Sequence, residues 1–102
     1  MNVSSGRRVF LFFGLRRTIR RMVKARVIIA DDDPVIRMDL KSMLEEIGHS
    51  VIGDADNGET ALYLARSLNP DLVILDIDMP KMNGLDAAAL INKERLAPVL
   101  ST

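Results

Sequence analysis

The sequence predicts an alternating α/β domain built on a parallel sheet, and three features carry that prediction. Short apolar runs end in acids: Val27-Ile28-Ile29-Ala30 leads into Asp31-Asp32-Asp33-Pro34, and Leu72-Val73-Ile74-Leu75 leads into Asp76. Between such runs lie amphipathic stretches of about ten residues or more, long enough for helices. The joints carry Gly, Pro and Asn, the residues that end regular structure. Strands separated by single helices form βαβ units, whose strands run parallel.

The elements follow in order from Arg26. The run Arg26–Ala30 is too short for a helix and reads as a buried strand. Asp33 and Pro34 then suit an N-cap and a first helical position, where proline's missing N–H costs nothing. Ile36, Leu40, Met43, Leu44 and Ile47 recur at helical spacing, and Gly48 stops that helix. Ser50-Val51-Ile52-Gly53 is a weak second strand, followed by the turn-rich Asp54-Ala55-Asp56-Asn57-Gly58. A second helix spans roughly Glu59 to Leu68, with Ala61, Leu62, Ala65 and Leu68 on its inner face, and ends at Asn69-Pro70. After the strand 72–75 and a Pro/Gly turn, a third helix runs from Leu85 to Arg95, with Leu85, Ala88, Ala89 and Asn92 along its inner side. Pro98-Val99-Leu100 begins a fourth strand.

Composition bounds the function. The 102 residues suit one domain, and a hydrophobic content of 48% suffices for a core. There is no cysteine, which excludes disulfides and thiolate metal sites and fits a reducing, cytoplasmic setting. Net charge is zero but unevenly spread. Residues 1–26 hold eight bases and no acid, so the six remaining bases face all 14 acids and residues 27–102 carry net −8. The apolar run Val9–Leu15 is too short to span a bilayer, and the arginines that follow it replace the cleavage site of an export signal. Residues 1–25 are therefore read as a disordered basic leader, or as upstream sequence read through ahead of a natural start at Met22. A membrane-surface segment or a nucleic-acid arm is the alternative.

The chemistry lies in the carboxylates. Parallel neighbours would bring Asp31, Asp32 and Asp76 together at the carboxyl edge of the sheet, where open α/β sheets place their ligands. Two carboxylates about 4 Å apart repel by roughly 4 kcal/mol at an effective dielectric of about 20. Such a cluster calls for a proton or a cation, and oxygen-only ligands select a hard ion, Mg²⁺ above all. A carboxylate beside Mg²⁺ is also a nucleophile toward phosphoryl groups. Asp33 is assigned to helix capping alone. His49, the sole histidine, reads as a solvated turn residue, and Tyr63 as a surface residue.

Val27-Ile28-Ile29-Ala30-Asp31-Asp32-Asp33-Pro34 together with Leu72-Val73-Ile74-Leu75-Asp76-Ile77-Asp78-Met79-Pro80-Lys81-Met82-Asn83-Gly84 resembles the receiver domain of bacterial two-component response regulators. The resemblance implies a flavodoxin-like, doubly wound parallel sheet with strand order 2-1-3-4-5. It implies that Asp76 is the phosphoacceptor, taking its phosphoryl group from a sensor histidine kinase. By the same resemblance Asp32 binds Mg²⁺ directly, Asp31 binds it through water, and Asp78 supplies a backbone carbonyl. The protein would then be a phosphorelay component and not an enzyme beyond its own phosphorylation and dephosphorylation, with no nucleic-acid contact by the receiver itself. Val35–Leu40 and Glu94–Val99 further resemble the receivers of antitermination regulators that carry a C-terminal ANTAR RNA-binding domain, and that output domain is absent from this chain.

The departures set further expectations. Only four strands and three helices are supplied, so the fold is an incomplete receiver that lacks the fourth helix, the fifth strand with its phosphate-contacting lysine, and the fifth helix. The end reads as a truncation or a shifted frame. Ser101 and Thr102 fall about one or two positions early for the hydroxyl that contacts the phosphoryl group. Apolar side chains among Val27, Ile29, Val73, Leu75 and Val99 are expected to lose cover, leaving a monomer of low stability that self-associates through its sheet edge. An inert relic or a kinase-binding decoy is the alternative function. Leu75-Asp76-Ile77-Asp78 also resembles the signature of haloacid-dehalogenase-type phosphatases, which is weaker because Pro80 stands where that family has Thr or Val, and the acidic pair lies upstream.

Overall fold

The computed structural model describes residues 24–76, 79 and 82–101. Within them four strands alternate with three helices: β1 (Arg26–Ala30), α1 (Pro34–Ile47), β2 (Ser50–Ala55), α2 (Gly58–Leu68), β3 (Leu72–Leu75), α3 (Gly84–Lys93) and β4 (Val99–Ser101). The strands form one parallel sheet in the order β2-β1-β3-β4. This is the doubly wound arrangement, with helices on both faces. The basic leader expected over residues 1–25 lies outside the described residues except for Lys24 and Ala25.

Period-two alternation along fully buried strands builds the two faces. Val27 and Ile29 of β1 join Leu72 and Ile74 of β3 in a cluster with Leu40, Met43 and Leu44 of α1. Ile28 and Ala30 join Val73 and Leu75 in a second cluster, covered by Ala61, Leu62 and Ala65 of α2 and by Ala87 and Ile91 of α3. The sheet is therefore a septum between two cores. Val27, Ile29, Val73 and Leu75 are each 0% exposed, which corrects the expectation that they lose cover. The reason lies in this layering: α1 covers the first two, and α2 with α3 covers the others. Val99 is half-buried.

Local chemistry fixes the helix ends. Asp33 caps α1 by accepting the N–H groups of Val35 at 2.9 Å and Ile36 at 3.4 Å, with Pro34 in the first turn, and Gly48 ends the helix at φ 106°. Asn57 caps α2 through the N–H of Thr60 at 2.8 Å, and Asn83 caps α3 through the N–H of Asp86 at 2.9 Å.

Three local expectations are corrected. β2 extends through Asp54 and Ala55, because Ala55 pairs with Ala30 and is buried while Asp54 points to solvent. The inner face of α3 is set by Gly84, Ala87 and Ile91, whereas Leu85 is 61% exposed and Ala89 and Asn92 are also exposed. His49 is buried, and its Nδ1 accepts the backbone N–H of Ala25 at 2.9 Å, so it joins the start of β1 to the start of β2. Tyr63, as expected, is exposed.

Candidate functional site

The pairing of β1 with β3 aligns Ala30 with Leu75, so the next residue of each strand, Asp31 and Asp76, emerges at the same sheet edge. Two backbone bonds fix them there: Asp76 N–H donates to the Ala30 carbonyl at 2.8 Å, and Asp31 N–H donates to the Ala55 carbonyl at 3.0 Å. Both side chains are buried, and Asp32 beside them is exposed. One carboxylate oxygen from each of Asp31, Asp32 and Asp76 lies within 4.8 Å of the others. The structure thus brings together the three acids that the sequence singled out, two of them anchored in the core and one facing solvent.

Neighbouring groups hold this geometry. Asp31 Oδ1 accepts the N–H of Asp33 at 2.8 Å, which turns the chain from β1 into α1. The Arg37 guanidinium, one turn into α1, donates from Nη1 to the Asp31 carbonyl at 2.7 Å. Asp33 stays apart from the cluster as a cap, as its place before Pro34 indicated. Asp78 and Thr102 fall outside the described residues. Ser101 pairs with Leu75, one residue short of Asp76 along the strand.

The donor set fits a hard cation. Three carboxylates, with no nitrogen or sulfur ligand in the cluster, match the oxygen ligation that Mg²⁺ takes with one or two carboxylates and water.

Sequence reasoning missed two residues around the site. Arg37 sits inside a quoted motif, yet nothing local signals that its side chain folds back onto the strand end. Gly58 was read only as part of a turn, but its N–H donates to the Met82 carbonyl at 2.8 Å, tying α2 to the segment that follows Asp76.

Fold and site together define a class: a doubly wound α/β domain with an acidic cluster at the carboxyl edge of its central strands. The chain belongs to the response regulator receiver domain family, whose model matches residues 27–101. It is 47% identical over 78 residues to the transcriptional regulatory protein PdtaR of Mycobacterium tuberculosis, covering 76% of this chain and 38% of that protein. It is 46% identical over 68 residues to the chemotaxis protein CheY of Thermotoga maritima, covering 67% of this chain and 57% of CheY. Among solved structures it resembles the response regulator domain of Thermotoga maritima CheB, with a TM-score of 0.74 and 35% identity over 78% of this chain and 60% of that one. The chain therefore spans well under half the length of PdtaR and somewhat more than half that of CheY. Among the described residues, no helix is long and apolar enough to cross a membrane.

Proposed function

We propose that Asp76 accepts a phosphoryl group from the phosphohistidine of a sensor kinase, in a reaction that requires Mg²⁺. The observation that carries this reading is the meeting of the Asp31, Asp32 and Asp76 carboxylates within 4.8 Å at the end of β3. Asp32 would bind the ion directly, Asp31 through water, and residue 78 through its backbone carbonyl. When bound, Mg²⁺ offsets the negative charge gathered by three carboxylates and a phosphoryl group.

The chain's own residues do the rest. The Asp76 N–H, held by the Ala30 carbonyl, fixes the nucleophile at the strand end, and its residue is buried there. A carboxylate oxygen of Asp76 attacks phosphorus, the P–O bond forms as the P–N bond breaks, and the imidazole leaves with the electron pair and takes up a proton. The product is an acyl phosphate on Asp76. Beyond this self-modification and its hydrolysis we assign no enzymatic activity. The reading places the chain in the cytoplasm beside its kinase and gives the basic leader no chemical role. Among the described residues β4 pairs with β3 alone, and its other edge would be the surface for self-association.

The test is incubation of the full chain with acetyl phosphate and Mg²⁺. One acid-stable, hydroxylamine-labile phosphoryl group is expected, absent in Asp76→Asn and absent when Mg²⁺ is chelated. Labelling that survives in Asp76→Asn overturns the assignment. Binding to a kinase with no labelling under any donor would favour the decoy reading.

A further inference from the structure

We infer that Arg37 is a positioning residue for the acidic cluster, holding the peptide plane that joins Asp31 to Asp32. The inference rests on the proposed metal site and extends it to a side chain of α1. Arg37 Nη1 donates to the Asp31 carbonyl at 2.7 Å. That carbonyl belongs to the peptide unit between the two acids, and a peptide unit is planar, so a bond to its oxygen also constrains the N–H and Cα of Asp32. Asp31 itself has further anchors: its N–H donates to the Ala55 carbonyl at 3.0 Å, and its Oδ1 accepts the Asp33 N–H at 2.8 Å. Asp32 is exposed, so packing does little to place it, and the plane that leads into it matters more.

The two acids are adjacent and differ in burial, Asp31 at 1% and Asp32 exposed, yet one carboxylate oxygen of each lies within 4.8 Å of the other and of one from Asp76. Rotation of the plane between them would part those oxygens. A guanidinium is always charged, and its bond to a carbonyl is stronger than one between neutral groups. Arg37 is half-buried one turn into α1, a helix capped by Asp33 and packed on the sheet through Leu40, Met43 and Leu44, so the donor comes from a fixed base. Charge and position act in opposite directions here. A cation bonded to Asp31 repels Mg²⁺, so on charge alone the loss of Arg37 would tighten binding. Loss of a group that holds a metal's ligands weakens binding, by about 10–100-fold in typical sites. Salt and solvent screen the repulsion of a half-buried guanidinium, whereas the hydrogen bond is direct, so the second effect prevails.

The test is Mg²⁺ titration of the full chain, of Arg37→Met and of Ile36→Ala. Arg37→Met keeps an apolar stem but loses the donor, and is expected to bind Mg²⁺ at least about tenfold more weakly, in low and high salt alike. Ile36→Ala loosens the same turn of α1, where Ile36 packs against the sheet, without removing the bond to the Asp31 carbonyl, and is expected to hold affinity within about twofold. A folded Arg37→Met with parental or tighter affinity, or equal losses in the two variants, overturns the inference and leaves the metal site standing. No Mg²⁺ binding by the parent overturns the metal site, and the inference with it. A second arm needs no variant: if the Arg37 bond raises Mg²⁺ affinity tenfold, then Mg²⁺ must favour the bond tenfold. Guanidinium proton exchange at Arg37 in the parent chain, read by NMR, is expected to slow about tenfold with saturating Mg²⁺. An unaltered rate overturns the inference even where Arg37→Met fails to fold.

Discussion

The backbone N–H of Asp76 donates to the carbonyl of Ala30 at 2.8 Å, so the acid that follows β3 is hydrogen-bonded to the last residue of β1, just before the acidic run. This bond is the last rung of the β1–β3 pairing, and it makes the acidic cluster a property of strand register. A slip of one residue would send every side chain of β3 to the opposite face and separate the acids.

Within the cluster, metal affinity is expected to depend on Asp32 and not on Asp33. Asp32→Ala removes a carboxylate from the group of three, while Asp33→Ala removes a helix cap worth about 1 kcal/mol. Mg²⁺ titration of both variants checks this, and equal affinities would reverse the division of roles in the triple aspartate.

The buried contact between His49 and Ala25 is expected to contribute to stability. His49→Phe keeps a ring in the site but leaves the Ala25 N–H without its acceptor, at a cost of about 1–3 kcal/mol. Urea denaturation measures the loss. A midpoint equal to the parent's would show that another acceptor replaces Nδ1.

Helix α3 offers a matched pair of substitutions. Ile91, fully buried against the sheet, is expected to cost about 2–5 kcal/mol when changed to alanine. Leu85→Ala, at a position 61% exposed, should stay within about 0.5 kcal/mol. The reverse order in denaturation experiments would restore the face that includes Leu85, Ala88 and Asn92.

Those positions mark where the sequence was and was not legible. Alternation of strands and helices could be read because β1 and β3 are short apolar runs that stop at an acid, and Asp31, Asp32 and Asp76 follow from where those runs stop. The inner face of α3 could not be read: Ala87 to Ile91 is apolar at every position, so several stripes look alike until packing against β3 and α2 selects Ala87 and Ile91. The last residues of β2 were hidden by Asp54 and Asp56, polar residues that suit an exposed strand end as well as a turn. His49 and Gly58 depend on partners 24 residues away in sequence, Ala25 and Met82 respectively, and no local pattern reports such contacts.

A pH effect is expected from the pair between α2 and the end of α3. Arg66 Nε and Nη2 meet Glu94 Oε1 and Oε2 at 2.8 and 2.6 Å, and the hydrogen-bonded guanidinium holds the Glu94 carboxyl below its ordinary value. A depressed carboxyl contributes stability above its unfolded pKa and loses it as pH falls through the folded one. Solvent exposure of both side chains keeps the effect small and salt-sensitive. Glu94→Gln should therefore lower the denaturation midpoint slightly at neutral pH and match the parent in acid. A difference that persists in acid or in high salt would place its origin elsewhere.

The most direct test of the central claim is to locate the phosphoryl group chemically. An aspartyl phosphate is an acyl phosphate, and borohydride reduces it to homoserine at the residue that carried it. After treatment with acetyl phosphate and Mg²⁺, reduction and peptide mass spectrometry are expected to find homoserine at position 76 and at no other aspartate. Homoserine at Asp31 or Asp32 with position 76 unmodified would contradict the account.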